Sequence, residues 1–574
     1  MNPTTMRRAL AAVTLAACSA AALAASVAPV AAEHGMVVTA QQLATRVGVD
    51  VLKGGGNAVD AAVAVGYALA VVYPAAGNLG GGGFMTIRLA DGRTRFIDFR
   101  EKAPLAAHAD MYLDAAGNVI PGLSTRGWLS AGVPGSVAGL ELARERWGTM
   151  PRAALLAPAI HYAERGFVLD AGDAATFAVA TADFRRDPAS AAVFLPKGRA
   201  LVAGDRLVQK DLARTLRRIA AHGASGFYQG PTGAALVTAS RAGQGLFTQA
   251  DLDQYHAVER APVECRYRGY EVISAPPPSS GGVTLCEMLN VLEGYPLADW
   301  GFRSAKAVHV QIEAMRHAFM DRNTLLGDPD FVTDPVAHLL DKAYAARLRA
   351  AIDPAHAGDS HALAPGEPPH EGTNTTHYSI TDRWGNAVSV TTTLNDWFGA
   401  RVMARGTGVL MNDEMDDFSA KPGTPNLYGL VQGRANAIAP GKRPLSSMTP
   451  TIVTKDGRLV MVLGTPGGSR IITTVLHVIL NVVDYGMTIQ EAVDAPRFHQ
   501  QWLPETTVLE RFALSPDTQA LLVGMGHRFA VAPPANHVAA ILVGAPSLGA
   551  APLGASRYYG ANDPRQGTGL AAGY

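Results

Sequence analysis

The chain has 574 residues and balances 49 Lys and Arg against 49 Asp and Glu, so no overall basic field exists to gather phosphate backbones and nucleic acid is a poor fit as a partner. Apolar residues reach 48% and charged residues only 17%, below the usual ~25%, which implies much buried surface. Gly and Pro, at 60 and 36 residues, stay below the share that marks a low-complexity chain, so the sequence should fold.

In chain order, Arg7 and Arg8 precede an apolar run that ends in small-residue sites such as Ala22-Leu23-Ala24, the pattern of an export signal. Residues 1–32 are therefore set apart from the fold, and the mature protein is expected in a bacterial periplasm or secreted. Leu15-Ala16-Ala17-Cys18 also resembles a lipoprotein box, which would anchor the chain through a lipidated Cys18. Removal of the signal leaves Cys265 and Cys286, free to pair in an oxidising compartment, although sequence alone does not show that they meet. Ala61 to Ala76 is too short to cross a bilayer, which takes ~20 apolar residues, and reads as a helix buried in a large protein. Ile471 to Val483 reads the same way.

Helical and strand-like patterns alternate from Gln41 to Asp98, and helix-rich sequence is expected from there to about residue 365. Within it Val308, Ile312, Met315 and Phe319 mark one helical face, with His317 and Arg322 off the stripe. A polar, Pro-rich segment from His361 to Asn374 is a candidate boundary. Beyond it the texture changes to strands: His377 to Ile380 and Ala387 to Thr393 around a turn, then Pro450 to Thr454 and Leu459 to Leu463 around Asp456-Gly457. No repeat marks a solenoid or propeller. His309, His317 and His377 lack metal-ligand spacing, and Asp413 to Asp417 lacks the Gly and terminal Glu of a calcium loop, so no metal and no cofactor are expected. Gly80 to Gly83, with no Lys-Ser or Lys-Thr after it, reads as close backbone packing rather than a phosphate loop.

The chemistry concentrates after Thr375. Thr375-Thr376-His377-Tyr378-Ser379, Thr393-Leu394-Asn395, Asn412 to Phe418, Pro444 to Met448 and Pro466-Gly467-Gly468-Ser469 follow in order. Upstream stand Gly55 to Ala62, Arg100 to Pro104 and Pro276 to Gly282; downstream, Ala495 to His499 and Gly560 to Arg565. Taken singly these are ordinary: two β-branched residues opening a strand, a surface arginine, a solvated acidic turn, a Gly-Gly turn. Together they resemble the γ-glutamyltransferase family of N-terminal nucleophile hydrolases, over essentially the whole exported chain.

That resemblance implies an α+β, four-layer αββα sandwich built from two subunits, 33–374 and 375–574, cut from one precursor between Asn374 and Thr375. A threonine hydroxyl is a weak nucleophile, and a free α-amino group of pKa about 7.7–8.0 on the same residue is a suitable base, which an internal threonine lacks. The resemblance further implies that Thr375 forms the acyl ester and Thr393 assists it, with Gly467 and Gly468 supplying close-approaching N–H groups for the oxyanion. Arg100, Ser446 and Ser447 would take the substrate α-carboxylate, and Asn395, Glu414 and Asp417 its ammonium. Thr393 and Asn395, two residues apart, would share one face of a strand. Lys421 to Lys442 would form a lid gated by Tyr428. The expected partners are glutathione and other γ-glutamyl compounds, with water, amino acids or dipeptides as acceptors. Alternatives are a glutaryl or cephalosporin-type acylase of the same superfamily and a periplasmic γ-glutamyl-binding protein that never matures.

Overall fold

The computed structural model describes residues 26–363, 375–534 and 536–574. Cys18, most of the signal region and Asn374 lie outside them, as does most of the predicted boundary segment. Two seven-stranded sheets form the centre. The first runs in the order Val30–Ala32, Tyr558–Asn562, Ala539–Val543, Arg458–Gly464, Thr451–Lys455, Tyr270–Ser274 and Val263–Tyr267. The second runs Leu570–Gly573, Met36–Thr39, Thr376–Thr381, Ala387–Thr393, Gly82–Arg88, Thr94–Phe99 and Val258–Arg260. Neighbours in both are antiparallel, and each sheet mixes strands from the two sides of residue 374.

The strand pattern follows from the residues. Asp456 and Gly457 have φ of 50° and 70°, the pair of positive values that a two-residue hairpin turn between twisted strands requires. Met36, Val38, Ile452, Val462 and Ile541 fill the space between the sheets. Hydroxyls cross the same space: Ser379 donates to the Ala539 carbonyl and Ser389 to that of Leu463, both at 3.0 Å, and Thr86 to that of Pro450 at 2.8 Å. Apolar packing holds the sheets together, while these directional bonds, each worth about 0.5–1.5 kcal/mol, fix their register.

Helices cover both outer faces and complete the four layers. Gln42–Lys53 and Ala58–Val72 belong to the core on the second sheet. Gly281–Leu292, Ala305–Leu325 and Arg470–Val483 belong to the core on the first. Ala58–Val72 is buried on every side, and its polar entrance is a capping box: Asn57 accepts the N–H groups of Val59 and Asp60 while Asp60 accepts that of Asn57. The helix expected from the stripe of Val308, Ile312, Met315 and Phe319 is present, with Ser304 as its N-cap. Among the described residues no helix is long and apolar enough to cross a membrane.

Two features go beyond the sequence pattern. Three strands, Val258–Arg260, Val263–Tyr267 and Tyr270–Ser274, lie within the stretch expected to be helical. Two of them are sheet edges whose outward Glu259, Glu264 and Arg266 interrupt an apolar pattern, as edge strands do. Cys265 and Cys286 are bonded, tying one edge strand to the helix Gly281–Leu292.

Gly464 ends a strand of the first sheet opposite His377 of the second. A Cβ at Gly464 would lie 2.3–2.8 Å from the buried His377 ring. Gly464→Ala is expected to lower stability by about 1–3 kcal/mol through overpacking; urea unfolding of the purified protein measures it.

Candidate active site

Thr375 directly precedes Thr376–Thr381, a strand paired on both sides, with Met36–Thr39 and with Ala387–Thr393. At the Thr375 end the pairing is with Ala387–Thr393, and Met36–Thr39 joins from Tyr378 on. Thr375 Oγ1 lies 3.3 Å from Thr393 Oγ1. Thr393 Oγ1 accepts the Asn395 N–H at 2.8 Å, which leaves its own proton available to the Thr375 oxygen.

A pocket opens beside Thr375. Its wall brings together Arg100, Thr375, Thr393, Asn395, Glu414, Asp417, Tyr428, Ser446, Ser447 and Gly468, from segments spread over the whole chain. Gly467 is the one described site residue of the sequence prediction that is not on the wall; it stands behind Gly468. The expected geometry of Asn395 needs correction. The strand ends at Thr393, and Asn395 has a φ of 76°, so the two do not share a strand face. Asn395 reaches the cavity from a turn, held by its amide donating to the Asp413 carbonyl at 3.0 Å. Asn and Asp tolerate this left-handed conformation better than most residues.

The charge pattern is concentrated. Arg100 is fully buried, pairs with Glu414 and Asp417, stands 3.5 Å from Glu101 and donates Nε to the Pro444 carbonyl at 3.1 Å. Burial opposes its charge, but the three surrounding carboxylates outweigh burial and raise its pKa. Burial in turn pushes Glu101 up to about 7 and raises Glu414, each against the pull of Arg100. One guanidinium cannot neutralise three buried carboxylates, so protons are retained within the cluster.

Arg322 was missed as a site residue. It lines the cavity and donates to Ser447 Oγ, Ser280 Oγ and Gln432 Oε1, each at 3.1 Å. Burial pushes it down to about 10, still cationic at neutral pH. Its off-stripe position on an apolar helix was the available signal. Around Ser446 and Ser447 the Pro276–Gly282 motif acts as scaffold: Ser280 donates to the Ser446 carbonyl at 2.7 Å and Ser279 to that of Met448 at 2.6 Å.

Gly467 and Gly468 have φ of 129° and 56°, values that favour glycine. Side chains are excluded there as well: a Cβ on Gly467 would meet the Asn536 amide at 2.3 Å, and one on Gly468 the Tyr428 ring at 2.3 Å. The turn leads into the helix Arg470–Val483, whose N-terminal end favours negative charge.

Segment 421–442 contributes Tyr428 and Leu430 to the cavity wall. Asn426 Oδ1 accepts the N–H groups of Tyr428 at 3.0 Å and Leu430 at 3.1 Å, an Asx turn that presents Tyr428 inward. The Tyr428 hydroxyl donates to the Asn395 carbonyl at 2.8 Å. Asp416, next to the predicted site residue Asp417, is buried and accepts the Ser124 hydroxyl at 2.6 Å and the Leu427 N–H at 2.8 Å. Away from this wall, His309, Glu313 and His527 place one potential donor atom each within 4.8 Å of one another. His527 lies too far along the chain for spacing to reveal it, and Glu313 is engaged by Arg316.

A threonine opening an interior strand, in one of two stacked antiparallel sheets sheathed by helices, is the arrangement of the N-terminal nucleophile hydrolases, and fold and cavity together define that class. Within it the chain belongs to the γ-glutamyltranspeptidase family, whose model, described as Gamma-glutamyltranspeptidase, matches residues 44–573. The chain is 68% identical over 552 residues to a glutathione hydrolase proenzyme of Pseudomonas sp. (strain A14), covering 96% of each. It is 48% identical to the glutathione hydrolase proenzyme of Escherichia coli (strain K12), covering 95% of this chain and 93% of that one. Among solved structures, the cephalosporin acylase from Bacillus halodurans superposes with a TM-score of 0.82 at 28% identity, covering 96% of this chain and 98% of that one.

Because the Glu101 pKa is raised by folding, its contribution to stability is present below the ordinary carboxylate range and is lost as pH rises through about 7. Glu101→Gln, which mimics the protonated form, should therefore gain on the wild type between about pH 5 and pH 8, by up to about 3 kcal/mol. Denaturant melts at the two pH values measure the difference.

Proposed function

We propose that this enzyme is a γ-glutamyltransferase with glutathione hydrolase activity, matured by its own cut between Asn374 and Thr375 into subunits 33–374 and 375–574. The observation that carries the proposal is the convergence, beside one threonine hydroxyl, of a buried guanidinium with two serines and of carboxylates with an asparagine. A γ-glutamyl group has a free α-carboxylate and a free α-ammonium at the same end. Arg100 with Ser446 and Ser447 matches the first, where a planar guanidinium makes paired charge-assisted bonds. Glu414, Asp417 and Asn395 match the second. Arg322, bonded to Ser447, adds a second cation on the carboxylate side.

In the cut, the Thr375 hydroxyl attacks the carbonyl of Asn374, the acyl group moves from nitrogen to oxygen, and water hydrolyses the ester. The freed α-amine of Thr375 is then the base for its own hydroxyl. That hydroxyl attacks the γ-carbonyl of the substrate, the Gly467–Gly468 turn stabilises the tetrahedral oxyanion, and the amine product leaves. Water, an amino acid or a peptide attacks the ester in the second half, which returns Thr375 for another turnover. Thr393, in contact with the Thr375 hydroxyl, supports both the cut and the turnover. Export to the periplasm or beyond completes the reading, with a lipid anchor at Cys18 as the alternative to cleavage further along the signal region.

The acylase reading draws on the structural likeness to the cephalosporin acylase. A glutaryl group has no ammonium, however, so once its carboxylate engaged Arg100 it would bring no counter-charge to Glu414 and Asp417, a costly arrangement for buried charge.

On a denaturing gel the wild type should give two bands, the smaller beginning at Thr375 by N-terminal sequencing, and Thr375→Ala should give one. A single band for the wild type would favour a binding protein instead. Asp417→Ala should lower kcat/KM for a γ-glutamyl anilide by about 10–100-fold, the loss of one charge-assisted contact, and change that for a glutaryl anilide far less. Equal losses on both substrates would count for the acylase.

A further inference from the structure

Gln501 follows the short strand Phe498–His499 and is buried outside the cavity wall. Its side-chain amide is used at both ends. The nitrogen donates to the carbonyls of Tyr428 at 3.2 Å and Leu503 at 3.3 Å. The oxygen accepts the Ser469 hydroxyl at 2.6 Å and faces His499 Nε2 at 2.9 Å. Carbonyl oxygens only accept, so the two at the nitrogen end settle which way the amide points. His499 must then carry its proton on Nε2 and donate to Gln501, while its Nδ1 accepts the Thr473 hydroxyl at 2.9 Å.

These two ends reach different parts of the site. Tyr428 belongs to the segment over the cavity, and Ser469 directly follows Gly468 in the glycine turn. The same two parts also touch where the Tyr428 ring covers Gly468. Thr473 lies in the first turn of the helix Arg470–Val483, so His499 ties the amide to that helix as well.

We propose that Gln501 is a positioning residue that couples closure of the 421–442 segment to the geometry of the Gly467–Ser469 turn. Closure loads the amide nitrogen with the Tyr428 carbonyl and sets the Tyr428 ring on Gly468, so the turn takes its working shape when the cavity is covered. Opening withdraws the carbonyl and the ring together. The coupling requires a donor toward the lid and an acceptor toward the turn, and a side chain lacking either does not transmit it. In catalytic terms this rests on the γ-glutamyltransferase reading, with the turn as oxyanion site.

The test uses Gln501→Glu and Gln501→Leu in the processed enzyme. An ionised carboxyl keeps the acceptor for Ser469 and His499 but has no donor for the Tyr428 carbonyl. A protonated carboxyl has both again. Kinetics on γ-glutamyl-p-nitroanilide and hydrogen exchange of lid peptides are followed from about pH 5.5 to about pH 8.5, each against the wild type at the same pH. At the upper end Gln501→Glu should raise KM and lower kcat, each about tenfold, and speed lid exchange about tenfold, the loss of one hydrogen bond. Toward the lower end all three should return to wild-type values. Gln501→Leu should raise KM at every pH and lower kcat about tenfold. Wild-type values for Gln501→Glu across the range, or a defect that does not change with pH, would overturn the coupling even if the Leu variant fails to fold. A wild type that ignores the γ-glutamyl probe while lid exchange responds as described would sink the functional reading and leave the coupling between lid and turn standing.

Discussion

The whole arrangement depends on the pinning of one strand. Thr376–Thr381 pairs along its whole length with Ala387–Thr393 and, from Tyr378 on, with Met36–Thr39 as well, so the residue just before it is carried by a strand anchored in the sheet interior. A nucleophile must sit within a few tenths of an ångström of its working geometry, and loops do not provide that precision cheaply. In the proposed reading the backbone of an interior strand provides it. The neighbours come from both sides of residue 374, so a break at that point would leave the sheet pairing, the packing between sheets and the crossing hydroxyls in place. Self-processing of this kind is compatible only with a fold whose halves are already interleaved.

Electrostatics supplies the second constraint. Burying Arg100 would be prohibitive without carboxylates around it, and burying Glu101, Glu414 and Asp417 would be prohibitive without Arg100. The cluster is balanced within itself but not saturated, because the surrounding carboxylates outnumber the guanidinium. An incoming zwitterion, with one charge of each sign, can exchange places in such a cluster with little change in net buried charge. A purely anionic ligand cannot, and a neutral one supplies no charges to replace the ion pairs it displaces. On the proposed reading, selectivity for an amino acid end group draws on charge conservation in a dry cavity as much as on shape.

Much of this was legible in the sequence, for identifiable reasons. Hairpin turns at Asp382 to Asn386 and Lys455 to Arg458 interrupt β-branched runs, so the strands on either side stand out. Thr375, Arg100, Asn395, Glu414, Asp417, Tyr428, Ser446, Ser447 and Gly468 were named through the motif order, and they meet in one cavity. Periodicity alone would have placed none of them there, because their convergence is a property of tertiary folding. The strands between Val258 and Ser274 escaped notice because their short runs, of which Val263-Glu264-Cys265-Arg266-Tyr267 does alternate, sit inside a stretch read as helix-rich. Arg322 escaped because a buried arginine on an apolar helix reads as a snorkelling surface residue. The strand assumed at Asn395 failed because no local signal marks the left-handed turn that ends it.

The disulfide has an implication of its own. Cys265 and Cys286 both lie before residue 374, and the remaining cysteine of the chain, Cys18, belongs to the signal region. No covalent tether therefore bridges the two products of the proposed cut, which would be held by non-bonded forces alone. Once parted by heat or denaturant, they would have to find each other as separate molecules, and recovery would depend on concentration in a way that the uncut precursor avoids. Maturation would then exchange reversible folding for persistence, with the lifetime of the working enzyme set by how slowly its pieces come apart.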